Sequence, residues 1–366
     1  MNSPAAAQFA CALALSSACT MASARGELNI LIWSDYLPNA QNIARFTQTE
    51  QIELHTAILD SDDTLQAKLL SGHSGYDVVY PSSTYFSQQI GAGVYQELDW
   101  SRIPNRGNLD PVLMKKVAGQ DPGNRFGVPY VWGTDGMIVN ATRAREVLGK
   151  DAHFDSWDLI FQPDLAGKLH RCGISMIDSP SDVFPIVLAY LGRDPNSKNV
   201  SDYEDAYKLL LKVRPYIDQF SSAYLGDMAG GDVCIAMGWS GDVGVIRRRI
   251  RQANKNFEIV YVAPKGQTGL WFTMMGIPKD AADKENAYKW INHMIDVDVA
   301  ADLTNAITYP TAVPAARKRL SPELTTDPAI FPPPEATKDA FVFAPIEPAL
   351  LHRITRLWLQ FKAGRS

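Results

Sequence analysis

Apolar and polar positions along the chain switch between two periods, and the switching predicts strands alternating with helices. Leu28-Asn29-Ile30-Leu31-Ile32-Trp33 is a short, nearly continuous apolar run, which reads as a buried strand. A turn follows at 35–38, then a helical spacing over 40–48. The order repeats: 52–57 alternates as a strand, 64–70 is helical, and Tyr76-Asp77-Val78-Val79-Tyr80 is a third strand closed by Pro81. In the second half, strands are predicted at 174–177, 232–239, 257–262 and 271–277. Helices are predicted at 206–213, 285–295, 299–304 and 350–362, and residues 331–335 read as a surface connection. This order belongs to the α/β class, with mostly parallel sheets flanked by helices. No linker rich in Pro, Gly and Ser divides the halves, which predicts two lobes joined by extended crossings rather than domains on a tether.

Length and composition add bounds. A chain of 366 residues with 46% hydrophobic residues is long enough for two domains, each with a sizeable core. Charged residues make up 20% and the formal net charge is −5, so bulk electrostatics give no basis for binding nucleic acid or an anionic membrane. Residues 9–22 are uncharged and mostly small or apolar, too few to span a bilayer comfortably, and Ala22-Ser23-Ala24 has the A-x-A form of a cleavage site. This predicts export with removal of residues 1–24, although no Lys or Arg precedes Phe9. A lipoprotein reading through Cys19 is weaker, because Ser16 stands where an aliphatic residue is expected. Cys11 and Cys19 fall in this segment, leaving Cys172 and Cys234 to form one disulfide or to remain as two buried thiols. No later stretch is apolar for long enough to anchor the chain.

Ligands in open α/β sheets sit beyond the carboxyl ends of strands, which directs attention to three places. These are Trp33-Ser34-Asp35-Tyr36, Pro81-Ser82-Ser83 and Trp239-Ser240-Gly241-Asp242. Two of them offer an indole followed within three residues by a carboxylate. An aromatic face attracts an ammonium by roughly 0.5 to 2 kcal/mol, and a carboxylate accepts its charge-assisted hydrogen bond. Such a pair suits an organic cation. The plainer alternative is that each Trp only packs and that Asp35 and Asp242 cap helices; Tyr309 and Trp271 taken alone would be core or surface aromatics.

Enzyme signatures fail. Gly238-Trp239-Ser240-Gly241-Asp242 lacks the last glycine of a nucleophile elbow, and Gly91-Ala92-Gly93-Val94-Tyr95-Gln96 lacks the third glycine of a dinucleotide loop. The six histidines have no zinc-ligand spacing and none provides a base for Ser82 or Ser240, so a hydrolase is the weakest reading. No cofactor or metal is expected. Arg247-Arg248-Arg249 reads as a solvated helix face.

Nearly the whole chain after the export segment resembles the periplasmic polyamine-binding proteins of bacterial ABC importers, the putrescine- and spermidine-binding type. The resemblance rests on Trp33-Ser34-Asp35-Tyr36, Ser71-Gly72-His73-Ser74-Gly75-Tyr76-Asp77, Pro129-Tyr130-Val131-Trp132-Gly133-Thr134, Arg214-Pro215 and Gly238-Trp239-Ser240-Gly241-Asp242-Val243. It implies the two-lobed periplasmic-binding-protein fold, type II, with the ligand cleft between the lobes. Lobe 1 would comprise 25–134 with about 256–306, and lobe 2 about 135–255 with 307–366. It implies a Cys172–Cys234 disulfide, aromatic contacts from Trp33, Tyr36, Trp239, Trp271 and Tyr309, carboxylates at Asp35 and Asp242, and polar contacts at Ser34 and Ser82. The implied partners are a small amine such as putrescine, spermidine or cadaverine and a membrane permease with its ATPase, with the protein itself monomeric and periplasmic. A sensor that presents its closed form to a membrane receptor is the alternative on the same fold.

Two positions depart from the family pattern. Asp182 stands where a Glu is usual, and Thr273 stands where an acid follows the aromatic pair Trp271-Phe272. Loss of a charged partner in a dry cleft costs roughly 2 to 5 kcal/mol when the other charge stays buried. The expectation is therefore a ligand with one firmly held ammonium and a neutral, differently spaced or solvated second end, and improved diamine binding on Thr273→Asp.

Overall fold

The computed structural model describes residues 26–34, 36–332 and 337–364. The export segment, Asp35 and part of the 331–335 connection lie outside the described residues. The strands are β1 Gly26–Trp33, β2 Ile52–Leu59, β3 Val78–Val79, β4 Gly127–Asn140, β5 Ile174–Met176, β6 Gln219–Phe220, β7 Ile235–Trp239, β8 Ile259–Val262, β9 Gly269–Gly276 and β10 Phe341–Val342. They pair in the order β2-β1-β3-β9-β4-β7-β5-β6, with β10 beside β9 and β8 beside β4.

The parallel expectation holds toward the two edges, where β1 runs parallel to β2 and β3, and β5 to β6 and β7. It fails in the middle. β3 is antiparallel to β9, and β4 is antiparallel to β9, β7 and β8. The reason is β4 itself, a 14-residue strand that belongs to both halves. Residues 127–134 pair with β9, and residues 135–140 pair with β7 and β8. β4 thus changes partners between Thr134 and Asp135.

Each half has its own core. Ile30, Ile32, Val79, Phe272 and Met274 pack with Phe46, Trp290 and Leu303 in the first. In the second, strand alternation sends Met137 and Val139 to one side, with Ile174, Val187, Leu210 and Trp358. Ile138 goes to the other side, with Tyr224, Ile246 and Tyr261. The packing draws the division elsewhere than the bounds expected from sequence. Ile259 and Tyr261 of β8 pack in the second half, whereas Ile307, Tyr309, Val313 and Leu320 pack in the first. Strand partners are set by non-local pairing, so β8 follows β4 rather than its sequence neighbour β9.

Helix ends follow local chemistry. The Asn39 side chain accepts from the Asn42 N–H to start the helix Ala40–Glu50, and Asp296 caps Val297–Ile307 in the same way. That second helix stops at Thr308, which has φ 62°, so the chain leaves the helix just before Tyr309. Cys172 and Cys234 form a disulfide with 5.5 Å between Cα atoms, as the resemblance implied. It ties the lead-in of β5 to that of its neighbour β7. No helix among the described residues is long and apolar enough to cross a membrane.

Candidate functional site

The site is built on the crossing strand and the strand ends beside it. Directly opposed residues of paired strands share a face. Val131 lies opposite Thr273 and Gly133 opposite Trp271 on β9, while Asp135 lies opposite Trp239 on β7. Alternation along β4 therefore gives Thr273, Trp271, Asp135 and Trp239 one common face. Gly133 is required there, because a Cβ at this position would overlap the Trp271 ring. The indole of Trp271 meets Tyr309 edge-on at 5.2 Å between centroids, and the Tyr36 ring lies 6.0 Å from the Tyr309 ring, tilted by 39°. Gly241 allows this packing, since a Cβ there would lie 2.5 Å from the Tyr309 ring.

Asp242 opens the helix Asp242–Gln252 without capping it by a side-chain hydrogen bond. Its carboxylate is engaged from both sides: the Tyr224 hydroxyl donates to Oδ2 at 2.6 Å and the Tyr309 hydroxyl to Oδ1 at 2.8 Å. Tyr224 also accepts the Trp239 backbone N–H at 2.9 Å, which fixes the end of β7. Burial holds the Asp242 carboxyl above the usual carboxylate range, and the two phenolic donors pull it back down. The simple capping reading of Asp242 is thereby set aside. Tyr309 is a buried aromatic, and its hydroxyl is committed to this acid.

The other sequence-predicted residues fall as follows. Trp33 is half-buried at the end of β1 and Ser34 is exposed just beyond it. A Tyr36 N–H to Trp33 carbonyl bond of 3.2 Å closes the turn around them. The Tyr130 hydroxyl donates to the Tyr36 carbonyl at 2.5 Å, which helps hold the Tyr36 ring toward Tyr309. Asp35 lies outside the described residues. Ser82 makes an isolated bridge with Thr273, and its N–H donates to Asp62 Oδ1 at 2.9 Å. Asp182 sits in the first turn of the helix Pro180–Tyr190. Burial pushes its carboxyl up to about 6, opposed by the Ser179 hydroxyl.

Three residues escaped sequence reasoning. Tyr224 carries no local signal, because its role depends on β7 folding back beside it. Asp62 is pushed up to about 6 by burial, against the pull of its hydrogen bonds from Ser82, and it opens the helix Asp62–Leu70, where an acid is common and so carries no signal of its own. Asp135 had a readable signal: it is the one charged residue in the 14-residue strand GVPYVWGTDGMIVN, and an acid within an apolar strand is either paired or functional. It is 2% exposed, and neither carboxylate oxygen has a hydrogen-bond partner among the described residues. Its carboxyl is held well above the usual range, first by burial and then by the Asp182 charge.

The arrangement groups the Tyr36, Tyr309 and Trp271 rings beside the Asp242 carboxylate that Tyr309 holds, with Trp239 and Asp135 on the Trp271 face of the sheet. It can enclose an apolar chain and neutralise ammonium groups. Residues 41–332 match the model of the bacterial extracellular solute-binding protein family. The chain belongs to that family, whose role is to bind and deliver solutes, not to catalyse a reaction.

Relatives of similar length narrow the comparison. Over 348 residues, covering 94% of each protein, the chain is 39% identical to the putrescine-binding periplasmic protein PotF of Escherichia coli. Over 339 residues, covering 92% of each, it is 38% identical to the putrescine-binding periplasmic protein SpuD of Pseudomonas aeruginosa. Among solved structures, the spermidine/putrescine substrate-binding protein PotD of Streptococcus pneumoniae superimposes with a TM-score of 0.81 at 26% identity. That match covers 93% of this chain and all of that one. The two-lobed periplasmic-binding-protein fold expected from sequence is the fold of these neighbours.

Proposed function

We propose that this protein captures a polyamine or closely related organic amine outside the cytoplasm and delivers it to the permease of an ABC importer. The observation that carries the reading is the Asp242 carboxylate, held by the phenols of Tyr224 and Tyr309, with Tyr36 and Trp271 packed against the Tyr309 ring. A preset acid among aromatic faces binds an ammonium by charge and its methylenes by contact. Similarity to two putrescine-binding proteins over more than nine-tenths of the chain supports the same ligand class. Trp33, Ser34, Asp35 and Ser82 complete the ligand contacts in this reading.

Closure of the two halves over the ligand excludes water, which strengthens each ammonium–carboxylate bond, and the closed form is what the permease selects. The protein works as a periplasmic monomer released by cleavage near Ala24. The test is calorimetric titration of protein refolded free of ligand against putrescine, cadaverine, spermidine, spermine and agmatine. Micromolar or tighter binding of one amine, abolished by Asp242→Ala, is expected. Silence toward all five would overturn the reading.

A further inference from the structure

We propose that Asp135, with Asp182 facing it, receives the second ammonium of the bound amine, so that the ligand carries a cationic group at both ends. This rests on the amine-binding reading above and fixes the substrate class within it. Asp135 is buried, and both its oxygens lack partners among the described residues. A native fold keeps such a carboxylate where a cation arrives to pair with it. Its position meets that need. Asp135 shares the site face with Trp271 and Trp239 and lies directly opposite Trp239, three residues before the clamped Asp242. An alkyl chain lying on the Trp239 indole would thus meet Asp135 across the strand pair and Asp242 from the turn that follows β7. Asp135 is also the first residue of β4 to pair with the second half, where a ligand held between the lobes must pass.

The groups around Asp135 reinforce the assignment. Asp182 comes from the helix Pro180–Tyr190, Tyr224 from the approach to β7, and Tyr261 from β8, with Asp242 beyond Tyr224. None of these is cationic. Tyr224 donates its proton to Asp242, and Tyr261 donates to the Thr134 carbonyl, so neither satisfies Asp135. The empty pair keeps a proton because two close carboxylates, one buried and one half-buried, resist ionising together, and an arriving ammonium displaces that proton. Of the three second ends expected from sequence (neutral, differently spaced or solvated), this assignment takes the differently spaced one, with the acid missing at Thr273 supplied from β4.

The test compares putrescine with 1-butylamine, which keeps the four-carbon chain and has one ammonium. Calorimetry is run on the unmodified protein and on Asp135→Asn, in buffers of different ionisation enthalpy so that proton release is counted. Asp135→Asn is expected to weaken putrescine binding by about 30-fold or more. It should leave 1-butylamine within about threefold and reduce the protons released by putrescine. Unchanged putrescine affinity, or equal losses for both amines, would overturn the assignment while leaving the functional reading intact. If the unmodified protein binds neither of these amines nor any longer polyamine, the functional reading fails and the assignment with it. Should the variant not fold, the unmodified protein decides: putrescine binding at pH 7 without proton release refutes the role of the pair.

Discussion

A candidate site that draws carboxylates out of water should cost the empty protein stability, and Asp182→Asn measures that cost. The Asp182 carboxyl ionises at about 6 in the folded chain against an ordinary value of 3.8. The folded state holds the proton more tightly, so the group's contribution is fully favourable below about pH 3.8 and is lost as pH rises to about 6. At pH 7 the charged group therefore destabilises the empty protein, by up to about 3 kcal/mol at about 1.4 kcal/mol per pH unit. The residue is only half-buried, so solvent screens part of this, and about 1–2 kcal/mol is the expected gain on removing the charge. Asparagine keeps the shape and can still accept from Ser179, and loss of the Asp182 charge also relieves Asp135, which adds with the same sign. Thermal unfolding of ligand-free protein is the assay. Asp182→Asn should melt a few degrees above the unmodified protein at pH 7, and the difference should vanish by pH 3.8. A variant that melts at or below the unmodified protein at pH 7 would show that burial of this carboxylate is not what the site has to overcome.

Three further outcomes are expected. Tyr309→Phe removes the 2.8 Å donor to Asp242, so the acid should ionise at a still higher pH and amine binding should fall by about 1–2 kcal/mol. The loss should be larger at pH 6 than at pH 8, and equal losses at both would refute the role of the hydroxyl. Thr273→Asp, which sequence alone expects to strengthen diamine binding, is instead expected to give no gain. Thr273 is 4% exposed and bridged to Ser82, whose N–H is already held by Asp62, so a new carboxylate would be buried near another; tighter putrescine binding by titration would reverse this. Replacing Cys172 and Cys234 together by Ser opens a loop with a sequence separation of 62. Urea unfolding should then show a loss of about 2–4 kcal/mol, and unchanged stability would mean that the disulfide does not constrain the unfolded chain.

Much of the secondary structure was legible because periodicity is local. The apolar run ending in Trp33 is β1, the run through Trp271 is β9, and helical spacing located Lys284–Met294 and Pro348–Lys362 within two residues of their ends. β4 was not read as a strand, because it is apolar on both faces and contains Pro129, Gly133 and Gly136, which mimic the punctuation of a loop. The site was half legible. Asp242, Trp239, Trp271 and Tyr309 came from strand ends and resemblance, whereas Tyr224 and Asp135 did not.

The difference between the two kinds of residue is physical. A sequence shows which positions are apolar, where turns and caps fall, and that an indole precedes an acid, since each depends on neighbours along the chain. It does not show which strand lies beside which. Pairing β4 with both β9 and β7 places Asp135 opposite Trp239 and Gly133 under Trp271. Folding also brings Tyr309 across 67 residues onto Asp242. The amine-binding character was therefore written in the residue types, while the tertiary structure decided which acid is clamped by phenols and which has no hydrogen-bond partner among the described residues.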